Sequence, residues 1–382
     1  MLTVLDFVGH QHADFRLDQR LTALTGFARS DLKEQVQHGF PTLPSGSQIV
    51  LDDFTQSEVL ASVQRSLNLR TPAMAKELRQ SRSPQLVPFA ESLGVPVEQV
   101  IKNTSWTDLQ RAAGHPLAPA TANEPNLLSR RHAFLHVDDL PRLNAYRHWL
   151  SDAPPQYDTA PPATQRFGRM LHGLLWPNGG RATWAEGLAS LTPEASTRAE
   201  LLELLDVAES RIHRVARPLE GSLEASLLAS HATYARPEVL MALDYVTDAS
   251  VAISHREGVL WSPEFSADAL LVTLNKSERI FSPSTMYRDY ALNQSLFHWE
   301  SQSTTSETSP TGRRYIQHEG AGTSVLLFTR RTGTDPYGKA LPFTLLGTAR
   351  YQSHEGSRPM AVTWELERPM PSELFIQARA VA

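Results

Sequence analysis

The densest concentration of side chains that could do chemistry lies between Ser282 and Tyr315. Aromatic residues alternate there with groups that donate and accept hydrogen bonds. This mixture suits a pocket for a flat heterocycle, because aromatic faces stack on a base while polar groups read its edge. An aromatic-rich core edge beside a surface loop explains the same composition equally well. The candidates for base binding are Tyr287, Asp289, Tyr290, Trp299, Glu300 and Gln302.

The same stretch holds groups that suit phosphates. A run rich in serine and threonine, 301–311, is followed by Gly312-Arg313-Arg314. Hydroxyls, backbone N–H groups and guanidinium forks are the usual partners of phosphate oxygens. The candidates for holding a nucleic-acid backbone are Arg288, Arg313, Arg314, Arg350 and Arg358.

Several catalytic chemistries lack the residues that they need. The chain has no cysteine, so thiol nucleophiles, disulfides and cysteine-ligated metals are excluded. It has no G-x-x-x-x-G-K-[ST] phosphate loop, no H-E-x-x-H and no G-x-S-x-G. His10 and His12 have no nearby third ligand, and two His-Glu-Gly tripeptides, at His318 and His354, are better explained as turns. We therefore expect no cofactor, no metal site and no catalytic residue; whether the chain takes part in an enzyme stays open.

Composition describes an ordinary globular chain of several domains. Of the 382 residues, 41% are hydrophobic and 20% are charged, and no apolar run reaches the roughly 18–20 residues of a membrane span. We expect no membrane partner, and the absence of cysteine favours a cytoplasmic location. The net charge is −5, yet residues 274–382 carry 12 Lys+Arg against 10 Asp+Glu. The C-terminal part is therefore the better candidate for binding an anion.

The elements that must position these residues divide the chain in three. Residues 1–70 read as a mixed α/β segment, residues 71–265 as a helical domain and residues 266–382 as a β-rich domain. In the helical domain, Ser105 and Gly114 are predicted to bound a short helix, and a run of leucines predicts an amphipathic helix over 195–215. The pattern changes near residue 268, where short apolar runs begin that predict strands, among them 324–330, 343–351 and 361–367. Three short helices between 88 and 113 could form a helix-turn-helix, although a plain helical hairpin explains them more simply. We predict an α+β fold that ends in a small, mostly antiparallel β-barrel.

The C-terminal motifs resemble those of a known family. The strings are Lys276-Ser277-Glu278, Ser282–Tyr290, Phe297–Gln302, Ser309-Pro310-Thr311-Gly312 and Ser353–Met360. They are similar to the C-terminal region of modification-dependent restriction helicases of the SauUSI type. Two N-terminal strings, Leu5–Gly9 and Gly39–Gly46, resemble the segment immediately after the motor in that family.

This resemblance implies a function in phage defence. In that family a phospholipase-D-like nuclease and a superfamily-two helicase motor precede such a region, and the enzyme attacks DNA that carries 5-methylcytosine or 5-hydroxymethylcytosine. The resemblance further implies a β domain related to PUA-like and SET- and RING-associated (SRA) base readers. The expected partners are double-stranded DNA with a modified base and the nuclease and helicase domains or subunits, which this chain lacks.

Two functions are consistent with these observations. In the first, the chain is the DNA-binding specificity region, and it flips a modified cytosine onto Trp299, Tyr290 or Tyr287 while Asp289 or Glu300 accepts a hydrogen bond from the exocyclic amine. In the second, the chain is a structural or regulatory region that docks on the motor or on a partner protein.

Overall fold

The computed structural model describes residues 70–81, 84–93, 95–274, 289–335 and 338–379, together with single residues between 21 and 60. The candidates Tyr287 and Arg288 lie outside the described residues, and so does most of the predicted 1–70 segment. Residues 1–117 form one compact unit and residues 118–382 form another. Neither of the boundaries that we predicted, after residues 70 and 265, coincides with the boundary between these units.

The smaller unit is helical where it is described. The Ser105 hydroxyl accepts the backbone N–H of Asp108, and Gly114 ends that helix in the left-handed conformation (φ 88°), as the sequence predicts. Arg79 donates from Nε to the carbonyl oxygen of Ala113, which joins the first and last helices as in a helical hairpin. The helices are α1 Thr71–Leu78, α2 Leu86–Ser92, α3 Val97–Val100 and α4 Trp106–Ala113.

The larger unit begins with helices that surround a buried ionic network. Arg142 is fully buried, and its Nη1 donates to Glu238 Oε1 at 3.0 Å. Tyr146 donates its hydroxyl to the same carboxylate oxygen at 2.6 Å, and His136 Nε2 lies 2.6 Å from the other oxygen. The network joins two helices that are almost a hundred positions apart in the sequence. The helices are α5 Glu124–Leu128, α6 Leu140–Trp149, α7 Pro162–Leu175, α8 Trp184–Ala189, α9 Ala195–Ser210 and α10 Arg236–Ala242.

Helix α9 ends five residues earlier than the leucine pattern predicts. The prediction ran to Val215, but the helix stops at Ser210, just after its last buried residues, Val207 and Ala208. Val215 is 67% exposed, so no apolar contact supports a further helical turn. The chain therefore leaves the helix before Arg214, which matters for the site below.

Helix α7 buries a histidine whose two ring nitrogens have no hydrogen-bond partner among the described residues. The ring of His172 packs at 4.7 Å from Trp176 and at 4.8 Å, edge to face, from Trp184. Burial, and secondly the charge of Arg181, lowers the pKa of His172 to about 4. The folded protein therefore holds a neutral imidazole.

We expect this histidine to make the protein acid-sensitive. Because its folded-state pKa lies below the unfolded value of about 6.5, stability is complete above pH 6.5 and falls as the pH drops toward 4, by about 3 kcal/mol. The variant His172→Phe should flatten this part of the stability profile. Urea unfolding at pH 7, 6, 5 and 4 measures the effect, and parallel profiles for the two proteins would contradict it.

The larger unit also contains a mixed sheet of eight strands. Seven follow the order β4-β5-β8-β9-β10-β7-β6, and β3 pairs with β9. The β5–β8 pair is parallel and the others are antiparallel, and β1 and β2 form a separate two-stranded sheet. The strands are β1 Arg217–Pro218, β2 Ala229–Ser230, β3 Thr233–Tyr234, β4 Val259–Ser262, β5 Ala267–Thr273, β6 Tyr290–Ala291, β7 Leu296–Glu300, β8 Ser324–Arg330, β9 Phe343–Glu355 and β10 Ala361–Leu366.

The fold is α+β, as predicted, but the sheet differs from the predicted barrel. No pairing joins the edge strands β4 and β6 within the described part of the chain, so the sheet does not close there. The sheet also reaches to the N-terminal side of residue 266, because β4 pairs with β5 and β3 pairs with β9. None of the described helices combines the length and apolarity that crossing a membrane requires.

Two helices pack beside the sheet, α11 Pro310–Gln317 and α12 Ser372–Ala378. The hydroxyl of Ser309 accepts the N–H of Gly312 at the start of α11, so Gly312-Arg313-Arg314 is helical and not part of a phosphate-binding loop. Gly312 is required there, since a Cβ atom would clash with the carbonyl oxygen of Ser306.

Candidate nucleic-acid interface

The structure places Trp299 in the hydrophobic core. Burial alternates along β7, so that Phe297 and Trp299 point inward while their neighbours are half-buried. Trp299 is 4% exposed, and its ring lies edge to face with Tyr315 at 5.5 Å and near Trp364 at 6.3 Å. Trp299 is therefore a core residue with little of its indole accessible to a flipped base, which counts against the predicted stacking.

Asp289 is also occupied by the fold. Its buried carboxylate accepts the backbone N–H of Glu300 at 2.9 Å and so holds the end of β7. Tyr290 is half-buried and stacks on His298 at 4.9 Å, and the side-chain amide of Gln302 is exposed and donates to Glu257. Asp289 thus contacts the backbone of Glu300, whereas the side chain of Trp299 points into the core.

The predicted backbone arginines fall into two groups. Arg314 forms a two-pronged ion pair with the buried carboxylate of Asp268, at 2.6 and 2.7 Å, and its guanidinium lies 4.2 Å from the ring centroid of Trp261. Its ion pair with Asp268 gives Arg314 a structural role, and the predicted phosphate contact of this residue stays a prediction. Arg350 is exposed between two glutamates, and Arg313 and Arg358 are exposed. Their phosphate contacts remain predictions.

Two clefts elsewhere in the larger unit concentrate positive charge. They share Arg214, which lies in the segment between α9 and β1. The first, here called the Arg368 cleft, has a volume of about 540 Å³, and the second, the Arg330 cleft, has about 220 Å³. None of the predicted base-binding or phosphate-binding residues that the structure describes lines either cleft. The charged and imidazole residues of the Arg368 cleft are His213, Arg214, Arg217, His231, Arg368 and Glu373.

The backbone of three segments builds the Arg368 cleft. His231 follows β2 with a positive φ of 70° and donates its backbone N–H to the carbonyl of Leu345 in β9, which brings this residue to the sheet. Arg368 follows β10 and Glu373 belongs to α12. The early end of α9 lets Arg214 meet them.

Cationic groups outnumber carboxylates in this cleft. Arg214 Nε lies 3.1 Å from Glu373 Oε1 and its Nη2 lies 3.3 Å from Asp138 Oδ2, while its buried Nη1 has no hydrogen-bond partner among the described residues. Arg368 pairs with Glu220, whereas Arg217 is exposed. Burial lowers the pKa of His231, and the charges of Arg214, Arg368 and Arg217 lower it further. The described lining of this cleft thus holds three arginines and one glutamate, and Arg214 and Arg368 also pair with Asp138 and Glu220, which lie outside that lining.

The Arg330 cleft adds hydroxyl donors to this charge. Arg330 donates to Thr273 Oγ1 and to the carbonyl of Leu341, both at 3.0 Å, and its guanidinium lies 4.3 Å from the Phe343 ring centroid. Burial, and then the charge of Arg236, lowers the pKa of Arg330 to about 10, so it stays protonated at neutral pH. The other polar residues that line this cleft are Arg214, Thr233, Thr329, Arg331, Thr344 and Gln377.

Guanidinium groups and hydroxyls on adjoining clefts suit a series of phosphates. Sequence analysis missed these arginines, because Arg214, Arg217 and Arg368 are far apart in the chain and meet only through tertiary structure. The adjacent pair Arg330-Arg331 at a strand end was a signal that could have been used. Among the described residues no group of three or more histidines and carboxylates could hold a metal ion.

Comparison with protein-family models gives a match in the C-terminal part of the chain. A protein-family model described as "Domain of unknown function (DUF3427)" matches residues 228–378, which is less than half of the chain. The match takes in β2 to α12 and therefore includes His231, Arg330 and Arg368 of the two clefts. The chain is similar to that family in this region. No curated protein matches it.

Proposed function

We propose that this chain is the DNA-binding specificity region of a modification-dependent restriction system. The observation that carries the proposal is the pair of clefts joined at Arg214, whose described lining holds five arginines and one glutamate. A phosphate backbone supplies the negative charge that such clefts lack. The resemblance of the C-terminal motifs to restriction helicases supplies the biological setting.

Within this proposal a modified cytosine, as 5-methyl or 5-hydroxymethyl, leaves the duplex and is read near β6 and β7. The flipping cost of a few kcal/mol is offset by stacking and by hydrogen bonds to the base edge. The ring of the half-buried Tyr290 provides the aromatic face on which the base stacks. The side-chain oxygens of Glu300 and Gln302 provide hydrogen-bond acceptors for the base edge. The likeness to PUA-like and SRA domains belongs to this proposal, as does a partnership with nuclease and helicase domains.

A binding assay separates this function from a coupling role. The chain is titrated with matched duplexes that carry cytosine, 5-methylcytosine or 5-hydroxymethylcytosine, at several salt concentrations. Salt-sensitive binding with a preference for one modified duplex supports the proposal. Absence of DNA binding, with binding to a helicase motor instead, would favour the structural or regulatory alternative.

We expect the double variant Arg217→Gln, Arg368→Gln to weaken binding to all three duplexes by about the same factor. Losing two phosphate contacts should reduce the slope of log K against log salt by about two, since each contact contributes about 0.9. The control is Arg256→Gln, which removes an exposed arginine outside both clefts. Unchanged affinity and salt slope in the double variant would show that DNA does not lie on the Arg368 cleft.

A further inference from the structure

A third cleft, in the helical part of the larger unit, holds two arginines and has no acidic residue in its described lining. It has a volume of about 490 Å³ and lies between the end of α5 and the loop that follows α7. This is within the range of small-molecule sites. Its lining includes Arg130, Arg181, Trp176, Asn126 and Asn178, and it includes no Asp or Glu. The cleft lies outside the residues that match the family.

Arg130 is oriented by the backbone. Its Nε donates to the carbonyl of Leu174 at 2.8 Å, which fixes the guanidinium at the end of α7 and leaves both Nη groups available for another acceptor. Burial lowers the pKa of Arg130. A neighbouring carboxylate would raise this pKa, and burial is instead the cause that sets its direction.

Arg181 is placed by an aromatic ring. Its guanidinium carbon lies 4.9 Å from the centroid of Trp176, and Trp176 is itself packed against His172. Among the described residues that line this cleft there is no carboxylate to pair with Arg130 or Arg181. Two positioned guanidinium forks that face one cleft are the usual means of binding a phosphate.

We propose that this cleft, here called the Arg130 cleft, binds a phosphate group between the guanidinium groups of Arg130 and Arg181. The side-chain amides of Asn126 and Asn178 supply further donors to its oxygens. The phosphate comes either from a small phosphorylated molecule or from a nucleic-acid backbone, and both present the same oxygens. The inference does not depend on DNA binding at the Arg368 cleft.

Calorimetric titration of the full chain tests the proposal with inorganic phosphate, a nucleoside monophosphate and duplex DNA. We expect at least one of these to bind, and we expect Arg181→Gln and Arg130→Gln each to weaken that binding at least tenfold. Arg130→Lys should retain part of the affinity, because the charge remains while the fork is lost. Arg256→Gln is the matched control and should bind like the unchanged protein.

The arms of this experiment distinguish the sources of the phosphate. If binding of phosphate or the monophosphate depends on Arg130 and Arg181, the cleft is a small-molecule site. If only the binding of duplex DNA depends on these two arginines, the cleft contacts a nucleic-acid backbone. Circular dichroism spectra and thermal unfolding of each variant show whether it is folded. If Arg130→Gln does not fold, Arg181→Gln alone provides the test. No binding of any probe, or binding that folded variants leave unchanged, would overturn the proposal. The Arg217, Arg368 double variant should leave phosphate binding here unaffected.

Discussion

Replacing Trp299 by alanine should lower the free energy of unfolding by about 3–5 kcal/mol, the range for large aromatic residues in cores. The indole fills the space between Tyr315 and Trp364, and the surrounding side chains cannot close a cavity of that size. Chemical denaturation at pH 7 measures this loss. Trp299→Phe should cost less, because most of the buried area is retained.

The comparison variant is Tyr290→Ala in the neighbouring strand. Tyr290 is half-buried, so its loss should cost less stability than the loss of Trp299 while removing the aromatic face that the proposed function uses. If Trp299→Ala kept its stability but lost the preference for modified DNA, Trp299 would be a binding residue after all. If Tyr290→Ala kept the preference for modified DNA, Tyr290 would not be part of the binding site.

Replacing Glu238 by alanine should also cost about 3–5 kcal/mol. The carboxylate is fully buried and takes hydrogen bonds from Arg142 and Tyr146, so its removal leaves the guanidinium in the interior with a partner missing. The control is Glu264→Ala, an exposed glutamate, which should change stability by no more than about 0.5 kcal/mol. Urea unfolding of the two variants and the unchanged chain gives the comparison.

The same carboxylate should contribute to acid unfolding. Burial opposes ionisation of Glu238, but Arg142 and then His136 outweigh it and lower its pKa to about 2 from 4.5. A lowered folded-state pKa means that the contribution is present above pH 4.5 and is lost as the pH falls toward 2. Glu238→Gln should therefore have a flatter stability profile in that window. An equally steep profile would show that other carboxylates control acid unfolding.

The sequence predicted the local elements well where neighbouring residues decide them. Ser105 and Gly114 bound α4 as expected, because capping depends on side chains within a few positions. The run 324–330 is a strand as predicted, and the strands at 343 and 361 begin where their short apolar runs begin. The α+β class followed from the same change of pattern near residue 268.

Which of the chemically active residues are free depends on tertiary contacts. Trp299 and Asp289 looked like binding residues because of their types, yet strand alternation turns the first into the core and a backbone N–H takes up the second. Arg314 looked like a phosphate contact, yet Asp268, forty-six positions away, pairs with it. These partners are distant in the chain and are in contact only in the folded protein, so no local sequence pattern indicates the contact.

The arginine clefts have the same origin. Arg214, Arg217 and Arg368 belong to segments that become neighbours because α9 ends early and because the chain returns along β10 to α12. Arg130 and Arg181 line one cleft because the end of α5 packs beside the C-terminal end of α7, where Arg130 Nε donates to the carbonyl of Leu174. Local patterns in the sequence are enough to show that the chain carries these cations and forms these helices and strands. Which of these cations line a common cleft depends on how those elements pack, because they come from distant parts of the chain.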